Sequence, residues 1–531
     1  MRKFLMASAA TLGAVGIVGA ASAQTAPIAP QLEGQVLTAP GNYGGANNNN
    51  NYQGGPALPG SIAIPTPGTF VIHLNGRVYA EAGLASSSFN SYTQGAATGA
   101  AATGVSQPGL IPAGTPTGTT SVASFGPAAG TYKQNPQSFL AYVRLYPGVD
   151  AMATNGLRYG ASVEIRENWS STTPSGGNVN STSSSGQTSS QTLMIRRDFV
   201  YAAGDQWGIV RFGQADSVMG IFDNGVTTFQ NASINGGMNG TDGQTLAPGN
   251  TSIPFPFMAQ NGIGYGRVQF VYLTPQFAGF DIGFDYAPNN TNGEQNGLCG
   301  NGATSDPSAL GVSGVNAAQC TTLSSSPLAS DASRYINAVQ IGARYQGTFG
   351  PVSLLAHATY MASGTVDYTG AHPSTAANAG NPNGWNGKYN GYSFGQGGVA
   401  LTIAGLTFGG AVNAGADNNN GQVSLQPQGG VQQKAFILGA QYVIGPLTVG
   451  AAYEHVDSQG AANLVGVTQR REWGMDVEGM YTVAPGNKVF AAYTYNVRHQ
   501  SDFSFATSGV GTGAYNEVKM QTFLIGDLIS W

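Results

Sequence analysis

Short segments in which apolar and polar residues alternate recur in this chain from Thr69 to Trp531. Successive side chains of a β-strand point to opposite faces, so each segment predicts a strand with one apolar and one polar face. Sixteen segments fit: 69–85, 137–146, 157–169, 191–202, 207–214, 261–274, 279–287, 333–346, 351–361, 392–403, 406–416, 433–444, 447–456, 470–483, 488–498 and 517–531. Recurrent segments of this kind, separated by Gly-, Asn-, Ser- and Pro-rich stretches, are typical of a transmembrane barrel.

The connections between these segments alternate between long and short. The long ones are 86–136, 170–190, 215–260, 288–332, 362–391, 417–432, 457–469 and 499–516. The short ones include Ala404–Gly405 and Gly445–Pro446, and only 147–156 is rather long for a turn. Bacterial transmembrane barrels have an even number of strands, short periplasmic turns and longer extracellular loops, whereas a soluble sandwich has no reason to sort its loops. We therefore predict an all-β transmembrane antiparallel barrel of about sixteen strands.

The composition agrees with a membrane barrel and argues against a soluble domain, a disordered chain and a helical membrane protein. Only 8% of the residues are charged, where about 25% is ordinary for a soluble domain. Hydrophobic residues reach 41%, too many for a disordered chain. After the N-terminal leader, no segment offers the eighteen consecutive apolar residues of a helical span.

The N-terminus predicts export. Arg2 and Lys3 precede an apolar stretch, and Ala21-Ser22-Ala23 has the small residues that a signal peptidase needs. Residues 1–23 are therefore expected to be a signal peptide, with an uncleaved helix as the alternative. Residues 24–68 are rich in Pro, Gly and Asn and are expected to form a periplasmic extension, followed by the barrel over 69–531. An exported barrel belongs in the outer membrane of a Gram-negative bacterium.

The two cysteines, Cys299 and Cys320, fall in one long connection. An exported chain meets an oxidising compartment, which favours a disulfide between them over two free thiols. Such a bond would close a loop of about twenty residues and contribute roughly 3 kcal/mol.

The alternation also predicts which side chains face the interior. In the first strand Phe70, Ile72, Leu74, Val78 and Ala80 share one face, and His73, Asn75, Arg77 and Glu81 share the other. In the third, Tyr159 and Val163 oppose Arg158, Glu164 and Arg166. A Lys or Arg on the lipid face at mid-bilayer costs about 2–4 kcal/mol, so the charged faces should line the interior.

Three stretches carry a family resemblance. Residues 197–214 are RDFVYAAGDQWGIVRFGQ, residues 270–280 are FVYLTPQFAGF, and residues 74–77 are LNGR. Together they resemble segments of the Gram-negative general porins, and the likeness runs from about Thr69 to Trp531. It implies a sixteen-stranded barrel, usually a homotrimer, whose third long loop, here about 215–260, folds into the pore.

In that family an acidic inward loop faces a ladder of wall arginines. The third loop here contains three acids and no Lys or Arg; its acids are Asp216, Asp223 and Asp242. The resemblance implies pore-lining roles for Arg77, Arg144, Arg158, Arg166, Arg197, Arg211 and Arg267. The loop lacks the Pro-Glu-Phe-Gly-Gly stretch of enterobacterial porins, and each loop Asp has the alternative role of a solvated turn residue.

One pair of arginines breaks the alternation. Arg196 and Arg197 are adjacent, so both can face the interior only if the strand is bulged. The family pattern favours Arg197 as the inward residue, whereas local alternation with Asp198 favours Arg196.

The expected function is a porin, a passive channel for ions and small hydrophilic solutes. The main alternative is a substrate-selective channel for sugars or cations, with late-strand acids as candidate residues, namely Glu454, Glu472, Asp476 and Glu478. A surface adhesin or structural barrel is a third possibility, although the chain has no internal repeats. None of the five histidines stands beside a nucleophile motif, so we expect neither an enzyme nor a cofactor. The expected partners are outer-membrane lipid, two further copies in a homotrimer, and the solutes; a net charge of −5 predicts no nucleic acid.

Overall fold

The structure is a computed structural model and describes residues 65–88, 91–94, 130–133, 137–168, 192–204, 206–222, 267–289, 322–323, 336–364, 367–368, 389–418, 425–461, 464–505, 509–510 and 516–531. Sixteen of its strands form one closed barrel. They are β1 (Thr69–Ser87), β2 (Gln137–Met152), β3 (Arg158–Asn168), β4 (Thr192–Gly204), β5 (Gly208–Ala215), β6 (Arg267–Leu273), β7 (Phe280–Asn289), β8 (Ile336–Phe349), β9 (Val352–Ala362), β10 (Ser393–Ile403), β11 (Leu406–Ala416), β12 (Gln433–Ile444), β13 (Leu447–Ser458), β14 (Arg470–Ala484), β15 (Asn487–His499) and β16 (Glu517–Ser530). The predicted fold class and strand number are confirmed.

Each barrel strand pairs with its sequence neighbours, and β1 pairs with β16 to close the ring. Among the described residues, every pairing within the barrel is antiparallel, as expected for a chain that runs up and down. Closure leaves no unpaired edge, which satisfies the backbone groups without water. The tightest turns suit their residues: in the β10–β11 hairpin, Ala404 and Gly405 have φ of 49° and 84°, and two positive φ values match the twist of the flanking strands.

The last residue helps to join the two ends of the barrel. Trp531 N donates to Gly76 O and Gly76 N donates to Trp531 O, both at 3.1 Å. A Cβ on Gly76 would lie 2.4 Å from the indole ring, so only glycine leaves room for it. The C-terminal aromatic residue is thus fixed against the first strand.

One predicted connection, 147–156, is shorter than expected. β2 continues to Met152, where it pairs with Thr69, and the turn occupies only residues 153–157. The pairing of β2 with β3 is interrupted between Leu145–Ile165 and Gly148–Ser162. Pro147 lies in this interruption, where its missing N–H costs no ladder bond.

The barrel has an apolar outer face bounded by aromatic residues near both rims. Exposed apolar side chains on this face include Phe70, Phe139, Val200, Phe212, Ile282, Ile341, Val412, Leu438, Val477 and Ile525. At the long-loop ends of β12–β15, the rings of Phe436, Tyr453, Trp473 and Tyr495 follow one another at centroid distances of 5.9, 6.3 and 5.5 Å. At the opposite rim Tyr345 packs on Phe280 at 4.6 Å. Such paired girdles mark the interfaces of membrane barrels.

Smaller elements extend beyond the wall. Within the long connections, residues 91–94 pair with 130–133, 322–323 with 367–368, and 503–504 with 509–510. A short helix, α1 (Val218–Phe222), follows β5. Among the residues described, no helix is long and apolar enough to cross a membrane.

Candidate functional site

The inner face of the first strands carries a row of arginines. Arg77 on β1 stands opposite Arg144 on β2, and the backbone of Arg144 pairs in turn with that of Arg166 on β3. The Arg77 and Arg144 side chains face inward and are buried, as alternation predicts. The three positions are paired from strand to strand, so they form one row across β1–β3, which we call the basic arc.

A β-bulge decides which of the two adjacent arginines joins this arc. β4 pairs Arg197 with Glu164 and Ile195 with Ile165, so Arg196 has no opposite residue. The bulge restores alternation for the rest of β4, where Phe199 is buried and Val200 is exposed. Arg197 therefore faces inward, as the family pattern favours.

Arg197 is held by two carboxylates. Its Nε lies 2.9 Å from Glu164 Oε2, and its Nη1 donates to Asp216 Oδ2. All three side chains are almost completely buried. Charge-assisted pairs of this kind are the strong ones when buried, so this group, the arginine clamp, ties the start of the third loop to the barrel wall.

Beyond the clamp, the third loop turns into the barrel as α1. Val218 N donates to Asp285 Oδ2 at 2.6 Å, and Met219 N donates to Gln340 Oε1 at 3.1 Å. Asp285 on β7 and Gln340 on β8 are inward, buried side chains, so α1 lies inside the barrel. The bonds satisfy backbone N–H groups that the first turn of a helix leaves open.

Glycines on the wall make room for α1. Gly283 and Gly342 stand opposite each other on β7 and β8. A Cβ on Gly283 would lie 2.8 Å from Val218, and one on Gly342 would lie 3.0 Å from both Val218 and Phe222. We call this pair the glycine platform.

A buried ion pair flanks the platform. Arg344 donates to both carboxylate oxygens of Asp281, at 3.1 Å from Nε and 2.6 Å from Nη2. Its guanidinium also lies 4.8 Å from the ring centroid of Phe222, the last residue of α1. The end of the helix is thus held by a fixed cation.

The late strands present acids to the interior. Glu454 on β13 and Glu472, Asp476 and Glu478 on β14 are all buried and inward-facing. In the strand order β14 is separated from β1 by β15 and β16, so these acids lie on a part of the wall distinct from the basic arc on β1–β3 and from α1, which packs against β7–β9. We call these four residues the acidic arc. The interior therefore carries charges of opposite sign on different parts of its wall, which makes the electrostatic field inside the barrel uneven.

The long-loop rim above β11–β15 is fastened by polar side chains. Asn418 and Gly460 exchange two hydrogen bonds, of 3.0 and 2.8 Å. Asp417 accepts from Asn418 N at 2.8 Å and from Gln433 Nε2 at 3.1 Å. Complete burial raises the pKa of Asp417 to about 7, against the lowering effect of these bonds. We call this group the rim network.

The other predicted site residues fall into two groups. Arg211 is buried and inward, with its guanidinium 5.5 Å from the Phe199 ring centroid, and Arg158 is half-buried at the start of β3. Several lie outside the described residues: Asp223, Asp242, Cys299 and Cys320, together with the side chains of Arg166 and Arg267. The acidic third-loop residue that is described, Asp216, contacts Arg197 directly.

Sequence reasoning missed the residues that receive α1, namely Asp281, Gly283, Asp285, Gln340 and Arg344. Alternation in β7 was a usable signal, because Asp281, Gly283 and Asp285 alternate with Ile282, Phe284 and Tyr286. Within the part of the chain that the structure covers, no three His, Cys, Asp or Glu side chains are grouped to hold a metal ion.

Comparison with known proteins identifies the family. A sequence profile described as Gram-negative porin matches residues 7–501. No curated protein matches the chain significantly.

Several solved structures resemble the barrel at a distance. An OmpT loop-deletion mutant of Vibrio cholerae is 11% identical, with 87% of this chain and 99% of that chain covered and a TM-score of 0.43. An anion-selective porin from Comamonas acidovorans is 11% identical, covers 87% and 100%, and has a TM-score of 0.44. OmpF of Salmonella typhi is 12% identical, covers 87% and 97%, and has a TM-score of 0.43. The family assignment rests on the profile match, and the chain belongs to the Gram-negative porin family as a β-barrel channel protein of the outer membrane.

Proposed function

We propose that the protein is a passive diffusion channel for ions and small hydrophilic solutes, and not an enzyme. One observation carries this proposal: the barrel interior bears a basic arc on β1–β3 and an acidic arc on β13 and β14, and α1 is turned inward against β7–β9. Polar solutes gain from the field between such walls, whereas apolar solutes lose more hydration than they regain.

The remaining assignments belong to the same proposal. Residues 1–23 act as a cleaved signal peptide, and residues 24–68 lie on the periplasmic side. The apolar band contacts outer-membrane lipid, three copies assemble into a homotrimer, and Cys299 forms a disulfide with Cys320. The side chains expected to meet solute are the inward arginines together with the third-loop acids.

Single-channel recording tests the function. The mature chain, refolded in detergent and added to a planar bilayer in KCl, should give stepwise ohmic openings in groups of three. A barrel that is folded by its heat-dependent gel mobility but passes no current contradicts the channel and favours an adhesin or structural role.

A substrate-selective channel is the second candidate, and the acidic arc favours it. Four inward acids on two adjacent strands would favour cations over anions. The reversal potential under a KCl gradient decides between the two: a value near zero indicates general diffusion, and a strongly cation-selective value indicates selection.

A further inference from the structure

We propose that Glu454, together with Glu472, Asp476 and Asn496, forms a binding site for a singly charged cation in the barrel wall. The inference deepens the proposed channel function and rests on it. A cation that crosses the barrel would bind at this site, which lies on a part of the wall distinct from the strands against which α1 packs.

The first observation is that the Glu454 carboxylate is buried and has no hydrogen-bond partner among the residues that the structure describes. Glu454 is 0% exposed, and neither Oε1 nor Oε2 accepts a hydrogen bond from the described part of the chain. An ionised carboxylate in such a place is strongly unfavourable unless a positive charge compensates it. Glu472 differs, because one of its oxygens accepts from Arg498.

The second observation is the register of the neighbouring strand. Glu454 stands opposite Gly474 on β14, and Glu472 and Asp476 flank Gly474 at two residues' distance on the same inner face. Both are the electrostatic neighbours of Glu454. Three carboxylates therefore surround a position that has no side chain of its own.

The third observation concerns what occupies the space above Gly474. Asn496 on β15 pairs with Gly474, and its Oδ1 would lie 2.3 Å from a Cβ added there. The amide oxygen thus fills the space that an alanine would need. An amide oxygen with carboxylates as neighbours attracts a small cation.

The class of cation follows from the geometry. No three acidic or imidazole side chains in the described ranges are grouped to chelate a metal ion, which disfavours a tightly held divalent ion. The surroundings suit K⁺ or a primary ammonium group, because a singly charged cation can be held by the negative charge without a full shell of protein ligands. A buried carboxylate with acidic neighbours is favoured either by a nearby cation or by a bound proton, and the experiment separates these two.

The principal test compares two variants of the full mature protein in planar bilayers under a KCl gradient. Glu454→Gln should lower the K⁺ to Cl⁻ permeability ratio about threefold or more, because it removes one negative charge from the barrel wall. The control Glu478→Gln removes the same charge from the same wall, but from a carboxylate whose electrostatic neighbour is Lys488. It should change the ratio by less than half as much.

A second variant tests the site without changing its charge. Gly474→Ala places a methyl group against the Asn496 amide and should lower the ratio in the same direction, whereas Gly479→Ala, whose added Cβ meets nothing nearer than 4.0 Å, should leave it unchanged. If Glu454→Gln does not insert into the bilayer, Gly474→Ala and Gly479→Ala still test the site. Repeating the series in methylammonium chloride distinguishes a site for K⁺ from one that prefers ammonium groups.

The outcomes are distinct from those of the channel proposal. Failure of the wild type to conduct contradicts the channel itself. A conducting wild type in which Glu454→Gln is silent indicates a shared proton and overturns the site. Equal shifts in Glu454→Gln and Glu478→Gln, with none in Gly474→Ala, indicate only a net-charge effect and overturn it as well.

Discussion

The two halves of the barrel are braced in different places. In the half formed by β1–β9, the chain braces its own interior: the arginine clamp holds the start of the third loop, and the glycine platform receives α1. In the half formed by β10–β16, the polar fastening that the structure describes lies at the rim, in the network of Asp417, Asn418, Gln433 and Gly460. The first half therefore uses interior charge to hold the start of the third loop, whereas the second carries several interior acids, of which Glu472 accepts from Arg498.

The largest expected effect tests the clamp. Arg197→Met removes the buried guanidinium that contacts both Glu164 and Asp216, and removing one partner of a buried pair costs about 3–5 kcal/mol. The midpoint of urea unfolding in detergent micelles should fall accordingly. The matched control is Arg471→Met, because Arg471 is 63% exposed and lies 3.6 Å from Asp457 on the outer face. Its loss should cost less than about 1 kcal/mol, and equal midpoints in the two variants would show that the clamp is not structural.

The clamp also shows where sequence reasoning reaches its limit. Alternation predicted Arg77 on the face opposite Phe70 and Ile72, and in the structure Arg77 is buried while Phe70 and Ile72 are exposed. It could not choose between Arg196 and Arg197, because a bulge shifts the alternation of inward and outward residues by one position and the sequence does not show where the bulge lies. The family pattern supplied that answer.

The sequence was also silent on how the interior charges pair. Asp216 was expected to oppose the arginines, and the structure brings it into contact with one of them. The distance between Asp216 and Arg197 depends on the register of β4 against β5, which pattern alone does not fix. The glycine platform was equally hidden, since a glycine belongs to neither the apolar nor the polar face.

The second prediction concerns the rim network, which should make the stability of the barrel depend on pH through Asp417. The pKa of Asp417 is raised from 3.8 to about 7, so between these values the folded protein binds a proton that the unfolded chain releases. The stabilisation is complete below pH 4 and is lost as the pH rises through 7, by at most about 4 kcal/mol. The urea midpoint should therefore fall between pH 5 and 8.

Asp417→Asn should flatten this pH dependence. The control is Asp502→Asn, another change at the long-loop rim, where φ is 60° and asparagine is tolerated. It should keep the wild-type slope. A wild-type slope in Asp417→Asn would remove Asp417 from the pH response and leave the rim network as a neutral fastening.

The glycine platform is tested by the variant with the smallest expected effect on stability, which is also measured by its single-channel conductance. Gly283→Val adds side-chain atoms where even a Cβ lies 2.8 Å from Val218, so α1 must shift. Overpacking of this kind costs about 1–3 kcal/mol. Because α1 carries the third loop into the barrel, single-channel conductance should change as well as stability.

Gly479→Val is the matched control for the platform. It makes the same substitution on β14, where an added Cβ would meet only Val449, at 4.0 Å, so conductance should stay at the wild-type value. If Gly283→Val lowers stability yet conducts as the wild type does, α1 braces the wall without narrowing the passage. The first half of the barrel would then be a structural scaffold, and the narrowing would have to come from the acidic arc or from other parts of the third loop.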